Sequence, residues 1–234
     1  MAEKTVGILG GMGPEATIDL FAKIVAGTKA KKDEDHLRII IDNNPKMPSR
    51  LDAILAGGPS PVPDMVKTAR NLEKAGADFI IIAANTAHWF HADVQAGVNI
   101  QVLHIIKETV RWTRDNIPGI TAVGLLATTG TVRTQMYERE YEESGIRVIV
   151  PDEEEQSRVM ELIFAFKYGE DVKQVRDRMI PIAESLIGRG AQALVMGCTE
   201  VPVILAGYQP PVPLIDPNQI IAEAAVRLAK SGDA

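Results

Sequence analysis

Two pairs of segments recur in this chain, in the same order, and they limit its fold more than any other feature. Val6-Gly7-Ile8-Leu9 followed by Gly10-Gly11-Met12-Gly13 is matched by Val123-Gly124-Leu125-Leu126 followed by Ala127-Thr128-Thr129-Gly130, at an offset of 117. Gly76-Ala77-Asp78-Phe79-Ile80-Ile81-Ile82-Ala83-Ala84-Asn85-Thr86 is matched by Gly190-Ala191-Gln192-Ala193-Leu194-Val195-Met196-Gly197-Cys198-Thr199-Glu200, at an offset of 114. Landmarks at nearly equal offsets predict two similar halves. The recurring units are short Val/Ile/Leu runs between longer amphipathic stretches, which reads as parallel sheet covered by helices on both faces. Strands are expected at residues 5–9, 37–41, 78–83, 101–103, 122–126, 147–150, 193–196 and 212–215. Helices are expected near 14–26, 63–75, 105–116, 132–144, 153–168 and 172–188, and from Pro217, with Asp216 as its cap. The class is α/β.

Composition narrows the function. Apolar residues are 46% and charged residues 24% of the 234, ordinary for a globular chain, and the net charge is −6. That balance, with no basic block, argues against a nucleic-acid or anionic-membrane partner. A single cysteine, Cys198, excludes an internal disulfide, a thioredoxin-type pair and a cysteine-rich zinc site. The start, Met1-Ala2-Glu3-Lys4-Thr5, lacks a signal-peptide layout. No apolar run approaches the roughly 20 residues of a spanning helix, so a soluble, cytoplasmic protein is expected.

Ligands of open parallel sheets bind beyond the carboxyl ends of the strands. Those ends carry the glycine-rich loop, Ala84-Asn85-Thr86, residues 128–131, and Cys198-Thr199-Glu200. If the halves face one another, these loops line one cleft with position 84 opposite Cys198. Gly11-Met12-Gly13-Pro14-Glu15-Ala16 admits three readings. It fits a permissive dinucleotide pattern, although Asp42, the nearest acidic partner, falls late. It also fits a turn and helix N-terminus holding a carboxylate, or a purely structural turn. Cys198 is either a small buried hydrophobe or a reactive thiol, its pKa lowered by a following helix N-terminus and opposed by Glu200, which could orient the thiol or hold an ammonium group. Arg50, in a proline-broken loop, suits bidentate carboxylate recognition or is simply solvated. Lys167 ends a helical run, where contact with the helix C-terminus is the plain reading. His88 and His91 are spaced to share a helix face, but Trp89 and Phe90 between them point to packing, and no metal site is expected. His36 and His104 carry no assignment. Glu153-Glu154-Glu155 reads as a solvated helix start.

Taken together, these segments resemble the aspartate/glutamate racemase family, in its aspartate racemase branch, over essentially the whole chain. The resemblance rests on the ordered set Gly7-Ile8-Leu9-Gly10-Gly11-Met12-Gly13-Pro14, Asn43-Asn44-Pro45, Asn85-Thr86-Ala87-His88, Leu125-Leu126-Ala127-Thr128-Thr129-Gly130-Thr131, Gly197-Cys198-Thr199-Glu200 and Pro213-Leu214-Ile215-Asp216-Pro217. It implies two pseudo-symmetric Rossmann-like domains, drawn here as residues 1–103 with 211–234 and residues 104–210, with the site in the cleft between them, in a homodimer. It implies cofactor-independent racemisation of a small dicarboxylic amino acid by two thiols on opposite faces of Cα. Cys198 would be one of them. Met12, Gly13, Asn85, Thr86, Thr128, Thr129, Gly130, Thr131, Thr199 and Glu200 would surround the substrate, and Arg50 and Lys167 would engage its side-chain carboxylate. The chain departs from the pattern at one position: where the family reads Cys-Asn-Thr-Ala-His, this sequence has Ala84-Asn85-Thr86-Ala87-His88. Alanine carries no ionisable atom, so two-thiol racemisation is expected to be impaired. The alternatives are a single-cysteine decarboxylase or isomerase of the same superfamily, or a non-catalytic binder of dicarboxylates.

Overall fold

Each half of the chain builds the same four-stranded parallel sheet in the same order. The computed structural model describes residues 3–231, so Met1 and Ala2 of the N-terminal reading lie outside the described residues. In the first unit, β1 (Val6–Gly10), β2 (Ile39–Asn43), β3 (Phe79–Ile82) and β4 (Gln101–Val102) lie in the order β2-β1-β3-β4. In the second, β5 (Ala122–Leu126), β6 (Arg147–Ile149), β7 (Leu194–Met196) and β8 (Leu214–Ile215) lie in the order β6-β5-β7-β8. All neighbouring strands are parallel.

The duplication is physical as well as textual. Helix Val62–Lys74 closes on Gly76, at φ +95°, with the Gly76 N–H donating to Glu73 and the Ala77 N–H to Leu72. Helix Val172–Gly188 closes identically on Gly190, at φ +96°, with N–H donation from Gly190 to Ile187 and from Ala191 to Leu186. Both are Schellman closures, which need a residue free to adopt left-handed backbone. The alanine after each glycine then packs under the central strand. A Cβ on Gly7 would meet Ala77 Cβ at 2.9 Å, and one on Gly124 would meet Ala191 Cβ at 3.2 Å. The glycine in each Val-Gly-(Ile/Leu)-Leu strand is therefore a close-approach site. The strand burial patterns agree: β1, β3, β5 and β7 are buried throughout, as strands covered on both faces must be.

Some local expectations change. The stretch 132–144 is two helices, Thr129–Thr134 and Met136–Glu142, because Gln135 takes left-handed backbone at φ 53°. The proline-broken segment after β2 holds a short helix, Arg50–Leu55, whose N-cap Ser49 accepts from the Asp52 N–H. The Glu153-Glu154-Glu155 run starts helix Glu153–Lys167, and Glu155 completes a capping box with Asp152. Pro217 opens the final helix, Pro217–Lys230.

The unit boundaries also move. Residues 3–108 group with 218–231, and residues 109–217 form the other unit. The sequence boundary at 211 fails because β8 pairs with β7, Leu194 with Leu214 and Val195 with Ile215, so that strand completes the second sheet. Among the described residues, no helix is long and apolar enough to cross a membrane.

The close approach at Gly7 yields a stability prediction. A Cβ there would lie 2.9 Å from Ala77 Cβ and 3.2 Å from the Phe79 carbonyl oxygen. Gly7→Ala is expected to cost about 1–3 kcal/mol by overpacking, read as a lower urea midpoint with an unchanged slope.

Candidate functional site

Strand register sets where the chemistry sits. Leu9 is opposite Ile82 and Leu126 is opposite Met196. One residue later, the Ala83 N–H donates to the Leu9 carbonyl at 3.0 Å, and the Gly197 N–H to the Leu126 carbonyl at 2.8 Å. The next residues, Ala84 and Cys198, are thus structural counterparts, each leaving the carboxyl end of the strand beside the centre of its sheet.

In the second unit, Cys198 is buried and joins an apolar cluster with Leu126, Met196 and Val201. Gly197 before it is tightly enclosed; a Cβ there would lie 2.8 Å from Leu125 Cδ1. The Cys198 thiol donates to Glu200 Oε2 at 2.8 Å, and the Thr199 hydroxyl donates to the same oxygen at 2.9 Å. Lys167 Nζ pairs with Glu200 Oε1 at 3.0 Å. Cys198, Thr199, Glu200 and Lys167 therefore form one chain of contacts centred on a carboxylate.

The electrostatics follow from that arrangement. Burial pushes the Cys198 thiol well above its ordinary pKa, and the Glu200 charge and the hydrogen bond to it push further the same way. Burial alone would raise the Glu200 carboxyl, but the hydrogen bond from Cys198, the charge and contact of Lys167 and the bond from Thr199 hold it below the usual carboxylate range. The proton sits on sulfur and the charge on Glu200. Of the two opposing influences read from sequence, Glu200 prevails over the following helix. That helix, Val201–Ile204, is a single turn, and desolvation with the adjacent carboxylate outweighs it. Lys167 does end its helix, as read from sequence, yet its ammonium is engaged by Glu200.

Beside this group, at the end of β5, Thr128 caps helix Thr129–Thr134 by accepting from the Thr131 N–H, and the Thr128 and Thr131 hydroxyls lie 3.1 Å apart. Gly130 is buried within that turn. Two residues not singled out in the sequence hold the loop. Gln156 Nε2 donates to the Ala127 carbonyl at 3.0 Å and to the Thr129 hydroxyl at 3.3 Å, while the Thr129 N–H points to Met160 Sδ. Both come from helix Glu153–Lys167 and carried no signal but helical spacing.

In the first unit, Met12 and Ala84 share an apolar cluster with Leu9, Met47 and Ala87. Gly13 is the N-cap residue of helix Pro14–Thr28. Gly11, at φ +95°, lies against the Asn44 backbone, 2.3–2.6 Å from where a Cβ would fall, and its N–H donates to Thr17 Oγ1. These contacts favour the tight-turn reading of the glycine loop. Asn85 is buried after Ala84, and Thr86 opens the 3₁₀ turn Thr86–Phe90. Arg50 opens its own short helix rather than lying in a loop; it is half-buried, its Nη1 donates to the Pro48 carbonyl at 3.1 Å, and burial lowers its pKa.

Behind Ala84 stand three histidines, of which sequence reasoning paired only two. The ring centroids of His91 and His104 are 4.5 Å apart, those of His88 and His104 5.0 Å, and those of His88 and His91 6.0 Å. His88 Nε2 accepts from the Ile105 N–H, so its Nδ1 carries hydrogen and donates to the Ala84 carbonyl at 2.9 Å. Both ring nitrogens are thereby engaged, and His88 acts as a brace for the strand end.

That triad makes stability pH-dependent. Burial, aided by the neighbouring imidazoles, lowers the pKa of His88 to about 4 and that of His104 to about 2. Both stay neutral in the fold while the unfolded chain binds protons below its ordinary pKa of about 6.5. Their contribution is therefore complete above that pH and is lost as pH falls toward the folded values. The expected loss for His88 is about 2 kcal/mol by pH 5. Thermal melts between pH 8 and 5 check it, and the slope should shrink in His88→Asn.

Comparison with known proteins gives consistent results. The family model described as Asp/Glu/hydantoin racemase matches residues 9–225. A broad-specificity amino-acid racemase of Bacillus subtilis is 28% identical over 229 residues, covering 94% of this chain and 96% of that protein. The structure of Picrophilus torridus aspartate racemase superposes with a TM-score of 0.85 at 32% identity, covering 97% of this chain and 94% of the other. An aspartate racemase homologue from Pyrococcus horikoshii gives a TM-score of 0.80 at 27% identity, covering 97% and 99%.

Proposed function

The chain belongs to the Asp/Glu/hydantoin racemase family, and we propose that it works as an amino-acid racemase scaffold on aspartate or glutamate, with Cys198 as its acid/base thiol. The observation that carries this reading is the Cys198–Glu200–Lys167 chain at a strand end, which supplies a thiol, a proton-accepting partner and a cation for a carboxylate. Racemisation removes the α-proton from one face of Cα and returns one from the other, so it needs two acid/base groups. Cys198 serves one face. Its register counterpart, Ala84, has no proton to give, and we read this chain as a racemase with one of its two thiol positions vacated. The reaction invokes no cofactor.

Arg50 and Lys167 are read as the groups for the side-chain carboxylate, which would favour dicarboxylic over neutral amino acids. Asn85, Thr86, Thr128, Thr129, Gly130, Thr131 and Thr199 would hold the α-carboxylate and ammonium, beside Met12 and Gly13. The similarity to an aspartate racemase supports the dicarboxylic reading, although the Bacillus relative is named for broad specificity.

The decisive experiment is solvent deuterium incorporation at Cα of L- and D-aspartate and glutamate, followed by NMR with chiral analysis. The protein is compared with Ala84→Cys and Cys198→Ala. The native chain should exchange one enantiomer without inverting it, and Cys198→Ala should abolish that exchange. Ala84→Cys should gain inversion, exceeding any residual inversion by the native chain about 10²–10⁴-fold, the usual worth of one acid/base group. Silence in all three folded forms would reject the racemase reading and leave a decarboxylase or a binder.

We also read the chain as a cytoplasmic homodimer. Ile18 and Phe21, three residues apart on helix Pro14–Thr28, are 67% and 40% exposed, and a second copy of the chain could cover them. Sedimentation velocity should give twice the chain mass, and Ile18→Glu with Phe21→Glu should return it to the monomer.

A further inference from the structure

Helix Glu153–Lys167 reaches Thr129 with two side chains one turn apart, Gln156 on its hydroxyl and Met160 on its N–H. Thr129 is also the open member of its loop. It is half-buried, whereas Thr128, Gly130 and Thr131 are buried.

The chemistry of the donors and acceptors fixes which atom faces which. The Ala127 carbonyl can only accept, so the Gln156 atom 3.0 Å from it is Nε2, and the amide cannot be turned over. Nε2 also donates to the Thr129 hydroxyl oxygen at 3.3 Å. A hydroxyl that accepts in this way keeps its own hydrogen for another partner. Among the described residues nothing accepts the hydrogen of Thr129 Oγ1. The Thr129 N–H is already turned to Met160 Sδ at 3.1 Å. The donor that Thr129 holds in reserve is therefore its hydroxyl.

The Gln156 amide is met on one side only. The residue is 8% exposed, and its Oε1 is buried with no donor among the described residues. A buried acceptor left unmet costs stability. What the side chain does supply is hydrogen-bond donation aimed at the loop.

We propose that Gln156 is a positioning residue: by donating to Thr129 Oγ1 it turns the hydroxyl hydrogen of Thr129 outward, as the donor to the α-carboxylate of the amino-acid ligand. The inference rests on the proposed reading of the 128–131 loop as part of the substrate site, and adds to it the residue that sets the polarity of that loop. A carboxylate suits the outward hydrogen because it only accepts, and its charge strengthens the bond it receives. Gln156 acts through Thr129 and touches no ligand itself.

The test is the affinity of L-aspartate and of L-alanine, which share the α-carboxylate, measured by calorimetry with urea melts to show that each variant folds. Thr129→Val should weaken each amino acid that binds by about tenfold or more, the scale of a hydrogen bond to a charged group. Thr129→Ser, which keeps the hydroxyl, should recover most of that loss. Gln156→Met should weaken binding about threefold to tenfold, the scale of one neutral hydrogen bond. In the Thr129→Val background Gln156→Met should add nothing further, because the hydroxyl it orients is gone. In the native protein, the NMR signal of the Gln156 side-chain amide should move downfield when the amino acid binds. A hydroxyl that donates to a carboxylate becomes a better acceptor for the amide behind it.

An equal loss from Gln156→Met with and without the Thr129 hydroxyl overturns the assignment, as does a folded Thr129→Val protein that binds like the native one. So does a Gln156 signal that a bound amino acid leaves unmoved, and that measurement decides the question even if Gln156→Met fails to fold. Binding of L-alanine without L-aspartate would remove the dicarboxylic reading alone, with the Gln156 effect still measured on L-alanine. Binding of neither amino acid would overturn both.

Discussion

The architecture depends on how closely the central strand of each sheet can approach the turn that feeds its neighbour. A glycine in the strand and an alanine after the left-handed turn let β1 and β3, and likewise β5 and β7, lie in register with no side chain between them. That register fixes the last ladder hydrogen bond, from Ala83 to Leu9 and from Gly197 to Leu126. It thereby fixes which residue first leaves the sheet. A slip of one position would turn every side chain of the strand to the opposite face. The placement of Cys198 is thus decided by glycines far from it in sequence.

On that shared frame the halves have diverged in electrostatics more than in backbone. Carrying the register two residues past the counterparts Ala84 and Cys198 sets Thr86 against Glu200. In the second unit the strand end is ionic, with a part-buried carboxylate held by a thiol, a hydroxyl and an ammonium. In the first unit it is neutral and braced from behind, by an imidazole whose both nitrogens are committed to backbone. A buried charge is tolerable only when its hydrogen bonds are met, and Glu200 has donors on both oxygens. The neutral histidines avoid the same cost by remaining unprotonated, which ties the first unit's stability to pH, whereas in the second unit Glu200 keeps its charge beside the Lys167 ammonium.

Much of this was legible in the sequence, because the informative features are periodic or conformational. The apolar runs and the acidic helix start at Glu153 each act through local geometry, and each appears where its pattern placed it. The two offsets anticipated the common strand order. What the sequence hid depended on contacts between distant residues. The pairing of β8 with β7 moved the unit boundary, since a two-residue strand carries no sign of which sheet it joins. His104 joined His88 and His91 only because β4 runs beside β3. Gln156 and Met160 support the 128–131 loop from a helix face that reads as ordinary amphipathic spacing.

The thiol illustrates why local rules fall short. A cysteine before a helix start reads as acidified, through the partial positive charge of unpaired N–H groups. Here the following helix is one turn long, while a full negative charge stands 2.8 Å from a buried sulfur. A full charge at contact outweighs a fraction of a charge at the end of a short dipole, and burial removes the solvent that would have screened it. The thiol is consequently quiet for the same reason that it is connected. The carboxylate that suppresses its ionisation is also the acceptor of its hydrogen bond.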